Sequence, residues 1–242
     1  MPVIPGPHPD SSMLGVRWKD LIFTPLESNI SEQIPNHRID RTEKQMIPAI
    51  HRPVVLASGS PRRASLLRQI GLVFEVRVAE IEESPLEAAA DTPDRIAVNL
   101  AEHKARWVAQ FYESALIIGA DTVVSYEGKI LGKPADQEDA RRMLALLSGN
   151  CHQVYTGVTL ILRPEGILRS FVKKTDVYFR SLTEVEIERY LRTHESLDKA
   201  GAYGIQGKGA LLVSSIRGDY ANVVGLPLTA LYEEIRMLFD TG

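Results

Sequence analysis

The chain has a single cysteine, Cys151, among its 242 residues. One cysteine forms no internal disulfide and no cysteine-rich zinc site, and its scarcity fits a reducing compartment. No apolar run approaches the roughly 18 residues of a membrane-spanning helix, and the first residues lack the basic-then-apolar order of a secretory signal. We therefore expect a cytoplasmic protein that has no membrane partner.

The chain also lacks an excess of positive charge, since its net charge is −3 and its pI is near 6.1. A weakly acidic chain has no general attraction to nucleic acids or anionic membranes, so we expect no nucleic-acid partner. A polyanionic ligand must instead be held by a local cluster of cations. With 44% hydrophobic and 24% charged residues, the composition is that of an ordinary globular protein.

Several catalytic signatures are missing as well. The sequence contains no Walker loop G-x-x-x-x-G-K-[ST], no G-x-S-x-G elbow and no H-E-x-x-H pair, which disfavours P-loop, serine-hydrolase and zincin chemistry. The glycines at 201, 204, 207 and 209 do not have the dinucleotide spacing. Cys151 has only His152 beside it, and neighbouring side chains normally diverge, so we interpret this cysteine as structural.

Two regions differ in composition. Residues 1–52 are proline-rich and then polar without a sustained apolar period, which predicts an N-terminal extension that is partly ordered at most. Within it, WKDLIFTPL at 18–26 is a candidate strand or clip against the main domain. From Pro53 to the C-terminus, short strand-like runs alternate with helical ones, and this alternation predicts one mixed α/β domain over 53–242.

The apolar periodicity predicts individual elements of this domain. Strands are expected at VVLA (54–57), FEVRVAEIEE (74–83), LIIGADTVV (116–124), QVYTGVTLIL (153–162) and SFVKKTDVYFRSL (170–182). Helices are expected at RASLLRQI (63–70), 92–112, 136–149, 183–194 and from about Leu228 onwards. Thr183 and Glu186 have the spacing of a capping box.

Two adjacent arginines follow the first predicted strand in ASGSPRRASLL. Ser60 suits the N-cap and Pro61 the first helical position, so Arg62 and Arg63 fall in the first helical turn. Cations there face the positive end of the helix dipole, and a bound anion would reverse that penalty. Serine hydroxyls, free backbone N–H groups and two guanidiniums describe a phosphate site, with a solvated basic turn as the alternative.

Asp121 interrupts the apolar strand IIGADTVV, where burial of an uncompensated carboxylate is costly. It needs a cation, a metal or a position at the strand end, or it caps a turn or pairs with a core arginine. Glu82 and Glu83 end another strand-like run, where adjacent acids usually mark a solvated loop. Together, Glu82 and Asp121 would suit Mg²⁺ or Mn²⁺ with a substrate phosphate.

Three further residues are weaker candidates from their local sequence alone. Lys133 lies on a constrained turn in GKILGKP, and Lys104 lies on a predicted helix, and lysines at either place are commonly solvent-exposed. Gln206 lies in the glycine-rich AGAYGIQGKG. Glycine lets the backbone approach a ligand closely, and the Gln206 amide can both donate to and accept from a base edge.

Six ordered blocks together resemble the Maf family of nucleoside triphosphate pyrophosphatases, from about Val54 to near the C-terminus. These blocks are ASGSPRRASLL, IIGADTVV, GKILGKP, LSGNCHQVYTGV, LDKAGAYGIQGKGA and GDYANVVGLPL. The resemblance implies a cytosolic hydrolase that cleaves a nucleoside triphosphate to the monophosphate and pyrophosphate with a divalent cation. It also implies a Maf-like/ITPase-like fold, mixed α/β with a long curved sheet and a cleft between two lobes, that is commonly a homodimer.

The resemblance also implies roles for individual residues. Asp121 corresponds to the proton acceptor or metal-associated acid, and Glu82 to a carboxylate on the metal side, with Mg or Mn as the cofactor. The positions implied for substrate specificity are Arg62, Thr122 and Gln206. The positions implied to line the triphosphate are Ser58, Arg63, Lys104 and Lys133.

The blocks SPRR and KAGAYGIQG together are similar to the branch that acts on dTTP and UTP. A pyrimidine triphosphate is therefore the expected substrate. The alternatives are the branch that prefers 7-methylguanosine triphosphate and a low-turnover nucleotide-binding regulator of cell division. The extension at 1–52 is the one departure from the compact bacterial members.

Overall fold

A computed structural model describes residues 46–82 and 92–239 of the chain. The candidate clip at 18–26, the rest of the extension up to residue 45, and Glu83 lie outside the described residues. The described part is a mixed α/β fold, as the sequence predicts. Within these ranges, no helix is both long and apolar enough to cross a membrane.

The described strands form a seven-stranded mixed sheet in the order β2-β1-β3-β5-β6-β7, with β4 paired to β3. β1 pairs in parallel with β2 and β3, and the remaining pairs are antiparallel. The strands are β1 Val54–Ala57, β2 Glu75–Val76, β3 Ala115–Tyr126, β4 Lys129–Leu131, β5 Cys151–Arg163, β6 Ile167–Phe179 and β7 Val213–Arg217.

The helices begin where the sequence provides caps. Ser60 and Pro61 hold the predicted N-cap and first helical positions, Asp136 accepts from the backbone N–H of Asp139, and Thr183 and Glu186 form the predicted capping box. The helices are α1 Pro61–Gln69, α2 Pro93–Ala109, α3 Gln137–Leu147, α4 Glu184–Leu191, α5 Tyr220–Val224 and α6 Leu228–Phe239.

Helices cover both faces of the sheet at β1, and this explains why the sequence of β1 is apolar throughout. All four residues of β1 are buried. Val54 and Leu56 pack in a first core cluster with residues of α1 and α6, whereas Val55 and Ala57 pack in another cluster with residues of α2. A strand that is buried on both faces needs no polar alternation.

Two glycines let α2 lie unusually close to the sheet. A Cβ atom on Gly119 of β3 would collide with the carbonyl oxygen of Ala101, and one on Gly157 of β5 would collide with the backbone of Ala97. The absence of side chains at these points brings the helix backbone onto β3 and β5. This close approach sets where the polar residues of α2 reach the sheet.

Two core clusters meet along β3. Its first half, including Leu116 and Ile118, belongs to the first cluster with α1 and α6. Farther along, Val124 belongs to a second cluster with α3 and α4 residues such as Leu144 and Tyr190. Asp121 lies between these two parts of the strand.

The structure differs from the sequence expectation around the second predicted strand. FEVRVAEIEE forms a strand only at Glu75–Val76, which is a sheet edge paired to β1. The two valines that produce the alternation are largely exposed, since Val76 is 48% and Val78 is 55% exposed. The alternation therefore does not reflect one buried face. The short elements β4 and α5 were not expected either.

Residues 46–52 fall within the predicted extension but contact the domain. Ile47 and Ile50 pack against the first core cluster. Arg52 donates from Nη1 to the backbone oxygen of Arg163 and to Glu165, both at 2.7 Å. Residues 46–52 therefore belong with the domain, and a truncation can separate them from residues 1–45.

Deletion of residues 1–45 is expected to preserve the fold and most of the activity, because the sequence there lacks the periodicity of a core element. Deletion of residues 1–52 also removes Ile47, Ile50 and the Arg52 contacts, and is expected to cost about 2 kcal/mol of unfolding free energy. Urea unfolding of both truncations measures this difference. An insoluble 1–45 deletion would show that the extension packs into the domain.

Candidate active site

A cavity of about 680 Å³ opens beside β3. Its walls come from the β1–α1 turn, β3, the turn after β4, the segment 198–206 and residues 223–225, and so from members of both core clusters. Eight of the residues that the sequence singled out line it together: Ser58, Arg62, Arg63, Lys104, Asp121, Thr122, Lys133 and Gln206.

Glu82 is placed elsewhere. It is exposed and, within the described part of the chain, it is not a wall residue of the cavity. The neighbouring Glu83 lies outside the described residues. The assignment of Glu82 as a carboxylate on the metal side therefore stays a prediction.

Asp121 finds its counter-charge on α2. Lys104 Nζ lies 2.5 Å from Asp121 Oδ1, and both side chains are largely buried, at 13% and 14% exposed. The pair forms because Gly119, two residues before Asp121 on β3, admits α2 so closely. This ion pair answers the desolvation cost of a carboxylate within an apolar strand. Among the described residues, Asp121 Oδ2 has no hydrogen-bond partner.

Arg63 is buried in the cavity wall, with 8% of its surface exposed. Its Nε donates to the backbone oxygen of Gly225 at 2.8 Å, Nη1 to Ser58 Oγ at 2.8 Å and Nη2 to Thr122 Oγ1 at 2.9 Å. The planar guanidinium thus joins three wall segments in one fixed geometry. The contact of Arg63 with a triphosphate stays a prediction. Its hydrogen bonds to the protein show that Arg63 also holds the cavity wall together.

Arg62 is half-buried at the other side of the same turn. Its Nη1 lies 3.4 Å from Asp198 Oδ2, and Lys199 Nζ donates to Asp198 Oδ1 at 2.5 Å. Burial alone would raise the pKa of Asp198, but the Lys199 hydrogen bond and the charges of Lys199 and Arg62 hold it below its ordinary value. Asp198 therefore stays ionised between two cations.

Sequence reasoning missed Asp198 and Lys199 as site residues, although LDKAGAYGIQG was singled out for its glycines. Lys199 also donates to the backbone oxygen of Glu195, and its carbon chain leaves no room for a Cβ on Gly204. The packing of Lys199 on Gly204 is visible only in the folded structure, so the glycines of this segment alone did not identify Lys199. The same segment donates from Gly201 N to the oxygen of Gly132 at 3.1 Å, which holds the Lys133 turn beside it.

The cavity is strongly cationic although the whole chain is acidic. Among the described residues, five cationic side chains line it against two carboxylates, and both of these carboxylates are paired with lysine. This is the local cluster that the net charge of −3 requires for a polyanionic ligand. Lys133 and Gln206 line the cavity with exposed side chains, which make no protein hydrogen bond among the described residues.

A divalent cation fits this site only if the substrate phosphates supply part of its ligands. The described residues contain no group of three metal-ligating His, Cys, Asp or Glu side chains, so they offer no all-protein cage. Mg²⁺ in phosphate-transfer sites is commonly held by one or two carboxylates together with substrate phosphates. Asp121, with Oδ2 unengaged by described residues, is a carboxylate of that kind.

A buried histidine contacts a residue of the cavity wall. His152 is fully buried, its Nε2 lies 2.7 Å from the hydroxyl of the wall residue Tyr203, and its ring packs edge-on against Phe179. Burial lowers the pKa of His152 to about 4 and raises that of Tyr203. His152 is therefore neutral in the folded protein at neutral pH.

This lowered pKa predicts a pH-dependent stability. Unfolded His152 regains its ordinary pKa of 6.5, so between pH 6.5 and 4 the unfolded chain binds a proton that the folded chain does not. Above about pH 6.5, the neutral state of His152 costs the folded protein no unfolding free energy. At pH 4.5, protonation of His152 in the unfolded chain lowers the unfolding free energy by about 2.5 kcal/mol. His152→Phe should show a correspondingly smaller loss of unfolding free energy between pH 7 and 4.5, whereas the exposed His103→Gln should match the unmodified protein. Equal losses in all three would contradict the buried neutral state.

Residues 53–238 match the sequence profile of the family described as Maf-like protein. The chain belongs to the Maf family. This confirms the resemblance stated above. All six Maf-like blocks contribute to the cavity, since LSGNCHQVYTGV supplies Val154 and GDYANVVGLPL supplies Val223, Val224 and Gly225.

Two Maf-related sequences carry the name dTTP/UTP pyrophosphatase. One, from Bacillus cytotoxicus, is 50% identical over 188 residues, 78% of this chain and 96% of that protein. Another, from Bacillus cereus (strain AH187), is 47% identical over 185 residues, 76% of this chain and 95% of that protein. A crystal structure of a nucleoside-triphosphatase (dITP/XTP pyrophosphatase) from Mycobacterium abscessus aligns with a TM-score of 0.39 and 15% identity, covering 77% of this chain and 96% of that one. This structural likeness is too weak to support an inference.

Proposed function

We propose that this chain hydrolyses dTTP and UTP to the nucleoside monophosphate and pyrophosphate. The observation that carries the proposal is one carboxylate, Asp121, held at 2.5 Å by Lys104 in the wall of a cavity with five cationic side chains. A general base beside a polyanion site is the minimum that phosphoanhydride hydrolysis requires. The names of the two Bacillus relatives supply the substrate class.

The triphosphate binds where the cations converge. Arg62 and Lys133 lie at the exposed side of the cavity and bind the phosphate oxygens, with the N-terminus of α1 adding its dipole. Lys104, beside Asp121, lies nearest the reacting phosphate. These positive charges neutralise part of the negative charge of the substrate. Without them, that negative charge repels an attacking nucleophile.

Water attacks the α-phosphorus, and pyrophosphate leaves. Asp121 orients the water and accepts its proton, and its ion pair with Lys104 fixes the direction of the carboxylate. Negative charge grows on the leaving pyrophosphate, and the cationic wall stabilises that charge more strongly than it stabilises the ground state. Asp121 would hold a divalent cation together with oxygens of the substrate, and the cation would supply Lewis-acid neutralisation of phosphate charge.

Pyrophosphate release tests this function. The unmodified protein should release pyrophosphate from dTTP and UTP with Mg²⁺ or Mn²⁺, and should lose activity when a chelator removes the metal. A protein that binds UTP without turnover would instead be a nucleotide-binding regulator, and one that prefers 7-methyl-GTP would belong to the other substrate class. Cytoplasmic location and a homodimer remain predictions.

A further inference from the structure

The hydroxyl of Thr122 lies in the cavity wall and belongs to a buried hydrogen-bond chain. Its Oγ1 accepts from Arg63 Nη2 at 2.9 Å and lies 3.0 Å from Thr156 Oγ1. Thr156, on β5, is fully buried and contacts the backbone oxygen of Asn222 at 2.9 Å. A carbonyl oxygen only accepts, so the Thr156 hydroxyl must donate to it.

This contact fixes the direction of the whole chain. A hydroxyl has one proton, and Thr156 uses its proton on Asn222. Thr156 must therefore accept in its contact with Thr122, and Thr122 must donate its own proton to Thr156. One Thr122 lone pair already receives the Arg63 guanidinium. What remains for the cavity is an acceptor.

The acceptor carbonyl at the end of the chain is itself held rigidly. The Asn222 side chain is buried, and its Nδ2 donates to the backbone oxygen of Val154 at 3.1 Å and to Thr175 Oγ1 at 2.9 Å. Asn222 thus cannot turn away to let Thr156 reverse its proton. The direction is set by the fold rather than by solvent.

Ser58 has the opposite arrangement on the other side of Arg63. Its Oγ accepts from Arg63 Nη1 at 2.8 Å and from the backbone N of Ser60 at 3.3 Å. Both lone pairs are engaged, and the Ser58 proton has no acceptor among the described residues. Ser58 therefore presents a donor, and a single buried arginine separates a donor hydroxyl from an acceptor hydroxyl.

We propose that Thr156 is a positioning residue that locks Thr122 as a hydrogen-bond acceptor, so that Ser58 binds a phosphate oxygen and Thr122 receives a proton-bearing group. This inference rests on the proposed function. Phosphate oxygens are acceptors and fit Ser58 but not Thr122. The group at Thr122 is the pyrimidine N3–H, a sugar hydroxyl or the attacking water, which share the chemistry of a donor.

Thr122→Val and Thr156→Val test the proposal through steady-state kinetics on UTP, CTP and 3′-deoxy-UTP. Each variant should lower kcat/KM for UTP about tenfold, the size of one lost hydrogen bond. Because both act on the same hydroxyl, Thr122→Val/Thr156→Val should lose no more than Thr122→Val alone. Thr156→Ser keeps the donor and should restore the values of the unmodified protein.

The substrates identify the donor. A smaller UTP-to-CTP ratio assigns N3–H, a smaller UTP-to-3′-deoxy-UTP ratio assigns the sugar hydroxyl, and an equal loss of kcat at constant KM assigns the water. Each supports the acceptor role of Thr122. Ser58→Ala should instead raise KM for all three substrates by a similar factor, because it loses a phosphate contact.

Additive losses, failure of Thr156→Ser to restore activity, or a folded Thr156→Val with unchanged kinetics would overturn the positioning role. Circular dichroism confirms folding, and Thr122→Val provides a second test at a half-buried position if Thr156→Val is unstable. The unmodified protein is measured in the same assay. Absence of its turnover overturns the proposed function and this inference together, whereas normal turnover with unshifted variants overturns the inference alone.

Discussion

Asp121→Asn is expected to lower turnover of UTP by about 10²–10⁴-fold while the fold stays intact. Asparagine keeps the shape of the side chain, but it neither accepts a proton from water nor binds a divalent cation well. KM should change less than kcat, because the cations that bind the phosphates remain. Pyrophosphate release under single-turnover conditions measures the chemical step directly.

Asp176→Asn provides the matched control. Asp176 lies on β6 and pairs with Arg217 at 3.1 Å and Lys174 at 3.5 Å, so the same substitution breaks comparable ion pairs outside the cavity. It should leave turnover close to that of the unmodified protein. Rapid pyrophosphate release by Asp121→Asn would remove Asp121 from the mechanism.

The unmodified protein is expected to prefer dTTP and UTP over GTP and 7-methyl-GTP by about 2–4 kcal/mol in transition-state free energy, or roughly 30- to 1,000-fold in kcat/KM. Gln206 lines the cavity and has an exposed amide that can both donate to and accept from the edge of a base. A purine presents a larger ring and a different edge, which leaves these groups unpaired. Gln206→Ala should reduce the UTP-to-GTP ratio by at least about tenfold.

Gln69→Ala is the control for this substitution, since Gln69 is exposed at the end of α1 and away from the cavity wall. Its substrate ratios should equal those of the unmodified protein. A preference for 7-methyl-GTP in the unmodified protein would contradict the pyrimidine assignment. Unchanged ratios in Gln206→Ala would show that another group reads the base.

The sequence predicts the elements that have a strong period or a cap. β1, β3 and β5 are apolar where both faces are covered, and α4 begins at its predicted capping box. The strand predicted over FEVRVAEIEE is wrong for most of its length. Alternation alone does not show whether a face is covered, and here the valines lie at an exposed sheet edge. The five residues of α5 are too few for a period to be visible.

The composition of the site could be predicted more fully than its connections. Motifs placed Asp121 and Lys104 in one site, but their pairing depends on Gly119 and Gly157, whose role is visible only when α2 is packed on the sheet. The burial of Arg63 was not expected, because its acceptors Ser58 and Gly225 lie 5 and 162 positions away.

Isotope transfer from water tests the central claim most directly. When UTP is hydrolysed by the unmodified protein in ¹⁸O-labelled water, attack at the α-phosphorus predicts UMP that carries one ¹⁸O atom and unlabelled pyrophosphate, as measured by mass spectrometry. Products of UDP and labelled inorganic phosphate, or label found in pyrophosphate rather than in UMP, would contradict a pyrophosphatase that attacks the α-phosphorus.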